Sequence, residues 1–174
     1  MVTARRASAV AVAVGGLLVV VGSFLAWAHV TIFFLGIIQR GVDPKGIDFP
    51  RGTIVLALGA LALVGGIVLA AVRSLAVQRG LWVAVFVCGL AVTAFALFDR
   101  VDIDAQAGRA VSGTVDRLAA RFPGGANERK LEALVPKFTE VVLRYGINVA
   151  LSGGAVAALG GAVGLALSSR RVGV

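Results

Sequence analysis

Four long runs of apolar residues divide this chain, and polar segments of unequal length separate them. The runs cover residues 7–30, 53–72, 81–98 and 146–168, and none of them contains Asp, Glu, Lys or Arg. A helix of about 17–25 apolar residues is long enough to cross a bilayer. The pattern therefore predicts an all-α integral membrane protein, one domain over residues 1–174 with four transmembrane helices.

The longer polar segment, residues 99–145, carries every acidic residue other than Asp43 and Asp48. Its apolar residues recur at helical spacing on both sides of a Pro-Gly-Gly break at 123–125, which predicts an extracytoplasmic helical hairpin between the third and fourth spans. Pro136 is expected to kink the second hairpin helix, which then continues into the fourth span. The positions that define the two stripes are Val111, Val115, Leu118 and Phe122, then Leu131, Leu134, Val135, Phe138, Val141, Val142 and Tyr145.

The shorter polar segment, residues 31–52, follows a first span whose apolar character continues to Ile38. A helix of that length would exceed the hydrocarbon thickness, so its outer part must project, bend or lie in the interface. The β-branched residues around Thr31, the turn-rich residues 41–46 and the Ile-Asp-Phe segment at 47–49 are compatible with a small β-hairpin there. Trp27 is expected at the headgroup level, as an anchoring aromatic.

The distribution of arginine predicts the orientation. With four spans, both termini lie on one side, and the short segments of that side contain arginine and no acidic residue. An excess of basic residues in short loops marks the cytoplasmic side. We therefore expect a plasma-membrane protein with cytoplasmic termini and with residues 31–52 and 99–145 outside. The arginines that decide this are Arg5, Arg6, Arg73, Arg79, Arg170 and Arg171.

The composition narrows the function classes further. Charged residues make up 15% of the chain against about 25% in soluble domains, and the formal charge is +8. The basic residues form no stripe interleaved with aromatics, so we expect no nucleic-acid partner. Cys88, the one cysteine, cannot form an internal disulfide or a thiolate metal site and is expected to be a small apolar residue.

No catalytic constellation is visible in the sequence. Asp99, Asp102 and Asp104 could offer oxygen ligands to a metal, but the EF-hand pattern is absent, and acids that start a helix are the favoured interpretation. His29 and Asn148 are the strongest polar exceptions within the spans, and ionisable residues of a transport path are missing. We therefore predict no catalytic, cofactor or metal site, and a protein that is not an enzyme.

Glycine is concentrated in the fourth span. Small residues let membrane helices approach closely, so these positions predict a packing face. The face could serve the chain's own bundle or another membrane subunit, and the sequence leaves both open. The glycines concerned are Gly153, Gly154, Gly160, Gly161 and Gly164. With the hairpin residues Val111, Val115, Leu118, Phe122, Leu131, Leu134 and Phe138, they are the predicted packing or partner interface.

The chain resembles small four-helix membrane proteins of high-GC actinobacteria. The resemblance lies in SFLAW at 23–27, the Gly- and Asp-rich loop at 41–52 and LGALALVGG at 58–66. In size and layout the chain is similar to LucB-type accessory subunits of mycobacterial Mce lipid-import complexes. That resemblance implies a subunit that stabilises a large lipid transporter from the side without binding nucleotide.

Two functions are therefore expected from the sequence. The first is a non-catalytic accessory subunit of a larger membrane complex, in contact with membrane lipids and with other integral membrane subunits. The alternative is a stand-alone or homo-oligomeric protein that handles a small solute or a lipid. A cavity between spans lined by Thr93, Asn148 or His29 would favour the alternative.

Overall fold

The structure, a computed structural model, describes residues 2–34, 37–49, 51–72, 74–119 and 139–169. It is mostly helical. In chain order the elements are α1 (Val2–Phe24), β1 (Ala28–Phe34), β2 (Ile37–Val42), a 3₁₀ turn (Gly46–Asp48), α2 (Gly52–Ala71), α3 (Leu75–Ala119), β3 (Thr139–Leu143) and α4 (Tyr145–Ser169).

Within the described residues, four helices are long and apolar enough to span a membrane, as the hydropathy pattern predicts. The qualifying segments are Thr3–Phe24, Gly52–Ala71, Ala76–Asp102 and Tyr145–Ser169. α1 packs along α2 and α4, and α3 packs along α4 and less extensively along α2. The helices therefore form a four-membered ring in which α1 and α3 are diagonal to each other.

A three-stranded antiparallel sheet lies at one end of the bundle, with β1 in the centre and β2 and β3 on either side. α1 leads into β1, and β3 leads into α4. We call this the sheet end of the bundle, and the other the opposite end. The predicted β-hairpin is present, but its second strand is Ile37–Val42; Gly46–Asp48 forms the 3₁₀ turn instead.

The first span is shorter than predicted, because residues 28–30 belong to β1 and the helix ends at Phe24. Residues 28–32 pair with β3, and residues 30–34 pair with β2. β-Branched residues pack well on such a pleated surface, and pairing on both edges satisfies backbone groups that a continued helix would satisfy internally.

Two predictions for the polar segment after the third span are wrong. Asp102 and Asp104 do not begin a helix, because α3 runs without interruption from Leu75 to Ala119. The second hairpin helix does not continue into the fourth span, because Thr139–Leu143 is a strand paired with β1. Arg144 then separates that strand from α4. Residues 120–138, where the predicted turn and Pro136 lie, are outside the described residues.

Two clusters of buried side chains fill the bundle. The sheet-end cluster comprises Val19, Trp27, Ala28, Phe49, Val55, Val92, Ala96, Ile147 and Ala150. The cluster at the opposite end comprises Ala9, Val12, Leu69, Trp82 and Val85. The prediction that Trp27 is an anchoring aromatic that faces the headgroups is wrong in one respect, since its side chain is fully buried within the chain. The reason is that the chain turns into β1 directly after it.

Candidate interaction surfaces

The predicted glycine face of α4 lies inside the chain's own bundle. A Cβ on Gly153 would lie 2.6 Å from the Gly15 carbonyl oxygen of α1, and one on Gly154 would lie 2.8 Å from the Val92 side chain of α3. These distances are shorter than carbon and oxygen atoms can approach without bonding. α1 and α3 therefore cover this face of α4.

The other three glycines of the predicted face are buried in the same way. Gly160 lies against Val12 of α1, and Gly161 lies against the backbone of Phe86 of α3. Gly164 lies under the indole of Trp82, whose ring atoms would be 2.3–2.5 Å from an added Cβ. In this structure, these five glycines contact the chain's own helices.

The predicted hairpin interface is described in part. Val111, Val115 and Leu118 lie in the last third of α3, which extends beyond the candidate span ending at Asp102. We call residues 103–119 the α3 arm. At 1.5 Å per residue, the arm is about 25 Å long. Phe122, Leu131, Leu134 and Phe138 lie outside the described residues.

The sheet end is fastened to the bundle by Trp27. Its indole Nε1 donates a hydrogen bond of 2.9 Å to the Gly22 carbonyl oxygen, and its ring stacks on Phe49 with centroids 5.8 Å apart. The backbone on either side is held as well: Trp27 N donates to Pro44 O, and Arg144 N donates to Trp27 O. Trp27 therefore connects the loop after β2 to the start of α4.

An ion pair joins the start of α2 to α3 at the same end. Arg51 Nη1 lies 3.4 Å from Asp99 Oδ1 and 3.9 Å from Asp102 Oδ2. The Asp99 side chain is 1% exposed, whereas those of Arg51 and Asp102 are 43% and 45% exposed. Arg51 therefore compensates a carboxylate that is buried at the end of the span. The signal in the sequence is that Arg51 lies just before the second predicted span and Asp99 just after the third.

A second polar cluster joins β1 to the residues that follow β2 and β3. His29 Nδ1 of β1 lies 2.7 Å from Asp43 Oδ1, and Arg144 Nε lies 3.9 Å from the same oxygen. All three side chains are partly exposed. Sequence reasoning placed His29 at the interface and missed Asp43, because only the β1–β2 hairpin brings two residues 14 positions apart into contact.

Two of the three acidic residues considered as metal ligands lie beside an arginine. Asp99 and Asp102 both face Arg51, and the side chain of Asp104 is not described. Among the residues that the structure describes, no group of three or more His, Cys, Asp or Glu side chains could hold a metal ion.

Hydroxyl groups within the spans bond to their own helices. Ser23, Thr93 and Ser152 each donate to the carbonyl oxygen four residues earlier, at 2.8–2.9 Å. Such bonds satisfy polar groups where water is absent. Thr93, which was expected to line a cavity, instead lies beside Gly154 in the α3–α4 contact.

The opposite end contains buried polar side chains. Arg79 Nη2 donates to Ser168 O at 3.2 Å, and Gln78 Nε2 donates to Val72 O. Trp82 Nε1 and Gln78 Oε1 are buried and have no hydrogen-bond partner within the described part of the chain. The Arg79 contact joins α3 to the end of α4, and the Gln78 contact joins α3 to the residue that follows α2.

A shallow, open groove lies between α1 and α4 at the sheet end. It has a volume of about 230 Å³, and its lining is mainly apolar. We call it the α1–α4 groove. It is lined by Leu18, Tyr145, Asn148, Val149 and Ser152. Of the residues expected around a cavity, it includes Asn148 but neither Thr93 nor His29.

Large apolar side chains are exposed along all four helices, as expected for a surface that faces lipid. On α1 they are Val10, Val14, Leu17, Val21 and Phe24; on α2, Ile54, Leu61, Val64 and Ile67. On α3 they are Val77, Val83, Val87, Leu90, Leu97, Phe98 and Val101, and on α4 Leu159 and Val163.

Comparison of the chain with known protein families, with curated proteins and with solved structures gives no match.

Proposed function

We propose that this protein is a non-catalytic accessory subunit that stabilises a larger membrane complex, and that the complex transports lipid. The proposal is supported chiefly by the α3 arm. α3 has 45 residues, about 68 Å at 1.5 Å per residue, against a hydrocarbon core of about 30 Å. A helix that continues so far beyond its span can contact the extramembrane part of a neighbour.

The packing of the bundle favours a supporting role over conduction. Glycines bring α1 within contact distance of the α4 backbone, and apolar clusters fill both ends of the described bundle. The buried carboxylate of Asp99 lies at the end of its span and is compensated by Arg51. Ion-coupled carriers keep ionisable groups inside the membrane along the transport path.

In the proposed orientation, both termini are cytoplasmic, and the sheet end and the α3 arm are extracytoplasmic. The arginines of the opposite end support this orientation, because short basic segments remain in the cytoplasm. The lipid-transport assignment is supported by the resemblance of size and layout to LucB-type subunits. The partners are then membrane lipids and other integral subunits.

The test is co-purification of the tagged chain, expressed at its native level, in mild detergent. Wild-type protein should migrate as part of a larger complex whose other subunits are identified by mass spectrometry. A triple serine variant of the α3 arm should lose that complex while the chain remains folded. The variant replaces Val111, Val115 and Leu118.

A matched control has the same spacing, one residue earlier along the arm. It replaces Ala110, Thr114 and Arg117 with serine, and it should retain the complex. If wild-type protein is recovered from native membranes only as a lone species or a homo-oligomer, the subunit role is wrong. If both variants retain the complex, the arm is not the contact.

A second candidate function is lipid handling by the chain itself, as a monomer or homo-oligomer. The α1–α4 groove favours it, because the groove opens on the outer surface of the bundle and includes Asn148. The same co-purification distinguishes the two functions, since this one requires no other subunit.

A further inference from the structure

The membrane-facing surface of α4 differs from those of the other helices. Tyr145, Asn148 and Ser152 are exposed on it at helical spacing, in the two turns nearest the sheet end. Further along the same helix, the exposed large residues are Leu159 and Val163. Polar groups that face hydrocarbon are costly unless they are bonded, so the exposed Tyr145 hydroxyl and Asn148 amide favour a polar neighbour over acyl chains alone.

The α1–α4 groove places apolar and polar groups side by side at this point. Leu18 of α1 and Val149 of α4 contribute aliphatic surface, and Tyr145, Asn148 and Ser152 contribute the polar groups. The Ser152 hydroxyl already donates to the Asn148 carbonyl oxygen at 2.8 Å. The Asn148 amide, which can both donate and accept, is exposed beside the groove.

The position of the groove along the membrane normal matches the region where a glycerolipid changes from polar to apolar. α4 has 25 residues, about 38 Å at 1.5 Å per residue, so about 8 Å of it exceeds a hydrocarbon core of about 30 Å. Asn148 is about 5 Å and Ser152 about 10 Å along the axis from Tyr145. The groove therefore extends from the headgroup region into the acyl chains.

Arg144 is the basic residue nearest to the groove along the chain. Arg144 directly precedes Tyr145, and its side chain is 44% exposed. Its ionic contact with Asp43 is long at 3.9 Å, and His29 approaches the same Asp43 oxygen at 2.7 Å. The Arg144 guanidinium can therefore bind a phosphate group, because its planar fork of N–H groups is suited to donate to phosphate oxygens.

We propose that the α1–α4 groove binds one phosphate-bearing glycerolipid. An acyl chain lies on Leu18 and Val149, Asn148 and Tyr145 bond to the glycerol ester region, and Arg144 pairs with the phosphate. The charge of the phosphate and the gradient from cation to amide to aliphatic surface select this occupant over a second copy of the chain. The inference depends on the spans lying in a bilayer and not on the subunit role.

The experiment is a titration of delipidated, purified protein with dioleoyl phosphatidylglycerol, with bound lipid counted by native mass spectrometry. Wild-type protein should bind one lipid in preference to any further ones. Ser152→Trp, which places an indole at the groove, should weaken that binding about tenfold or more. Leu159→Trp lies two turns further along the same exposed face and should bind like wild type.

Two further variants keep the proposal testable if the tryptophan disturbs folding. Asn148→Leu removes the amide without adding bulk and should weaken binding about fivefold, as the loss of one hydrogen bond of about 1 kcal/mol predicts. Arg144→Gln should reduce the preference for phosphatidylglycerol over dioleoylglycerol about fivefold, since one basic residue near a phosphate contributes about 1 kcal/mol.

The proposal is overturned if wild-type protein retains no lipid above nonspecific levels, or if Ser152→Trp and Leu159→Trp bind lipid equally. It is also overturned if Asn148→Leu changes a dimer to a monomer without changing lipid binding, because a second copy would then occupy the groove. Equal affinity for the two dioleoyl lipids in wild-type protein would exclude the phosphate contact of Arg144. A lone species that still binds lipid would contradict the subunit role and leave this inference intact.

Discussion

Gly15 and Gly153 set the distance between α1 and α4. A Cβ on Gly15 would lie 2.6 Å from Ala157 N and 2.7 Å from the Gly153 carbonyl oxygen. Both neighbours are backbone atoms, so no side-chain rotation can make room. The added methyl group would have to separate the two helices, which would also loosen the apolar contacts on either side.

Gly15→Ala is therefore expected to destabilise the protein by about 1–3 kcal/mol, the usual cost of inserting a methyl group into a close-packed core. The measurement is thermal unfolding of the purified protein in detergent. Gly80→Ala is the matched control, since Gly80 lies in α3 with no atom within 4 Å of an added Cβ. It should leave stability unchanged or raise it by up to about 1 kcal/mol. Equal melting temperatures for both variants would mean that α1 and α4 pack more loosely than the structure shows.

Arg51 and Asp99 are a second case in which the burial of one residue decides the energetics. The carboxylate is 1% exposed and the guanidinium 43% exposed, so solvent screens the pair only from one side. Charge-assisted hydrogen bonds contribute about 1.5–3 kcal/mol, whereas an exposed ion pair contributes about 0–1 kcal/mol. Because the pair is partly open to solvent, we expect its contribution to stability to lie between these two ranges.

A double-mutant cycle with Arg51→Gln and Asp99→Asn should give a coupling energy of about 1–2 kcal/mol between the two side chains. Unfolding by denaturant in detergent measures it. The same cycle with Arg51→Gln and Asp102→Asn is the control, because Asp102 is 45% exposed and its oxygen is 3.9 Å from the guanidinium. That coupling should stay below about 0.5 kcal/mol. Equal couplings would show that burial of Asp99 does not strengthen the pair.

At the level of elements, Trp27 determines how the sheet end attaches to the bundle. Its ring stacks on Phe49, its Nε1 bonds to the Gly22 carbonyl oxygen, and its backbone bonds to Pro44 and Arg144. Trp27→Ala should cost about 3–5 kcal/mol, as truncation of a buried aromatic does. Protease cleavage within the β1–β2 region, compared with the bundle, would show whether the loss is local.

Phe98→Ala is the control for that substitution. Phe98 is an aromatic residue of α3 with 65% of its surface exposed, so its truncation should change stability by no more than about 0.5 kcal/mol in detergent. If Trp27→Ala is as mild as Phe98→Ala, the sheet does not depend on the indole for its position.

The helices were predictable from sequence to a greater degree than the sheet. Runs of apolar residues without charge depend only on the local sequence, and they gave all four spans to within a few residues, except at the end of the first. The strand Thr139–Leu143 was not predictable in this way. Its apolar residues also fit a helical stripe, and only β1, more than 100 residues earlier, provides the partner that makes it a strand. Nonlocal pairing leaves no local signal.

The candidate sites show the same limit. The five predicted glycines contact the chain's own helices. Their spacing in the sequence predicts that another helix packs closely there, but it does not identify that helix. Asn148 was noted as a polar exception, but its place beside Leu18 depends on how α1 packs against α4. The positions of Val111, Val115 and Leu118 on α3 are given by the structure, while their contacts with a partner stay a prediction.

For the whole molecule, the distribution of charge predicts which end faces the cytoplasm. Arg5, Arg6 and Arg79 lie at the opposite end, whereas the sheet end carries Asp43 and Asp48 beside its basic residues. Transfer of a short basic segment across the membrane is disfavoured. The sheet end should therefore be extracytoplasmic, and with it the α3 arm and the α1–α4 groove.

Single cysteines introduced into a Cys88→Ala background test this orientation with a membrane-impermeant maleimide on intact cells. Lys45→Cys, exposed at the sheet end, should be labelled directly, and Ser74→Cys, exposed at the opposite end, only after the membrane is permeabilised. Because both sites are exposed, a difference in labelling reports sidedness and not burial. The reverse pattern would place the α3 arm in the cytoplasm, and an extracytoplasmic partner for it would then be impossible.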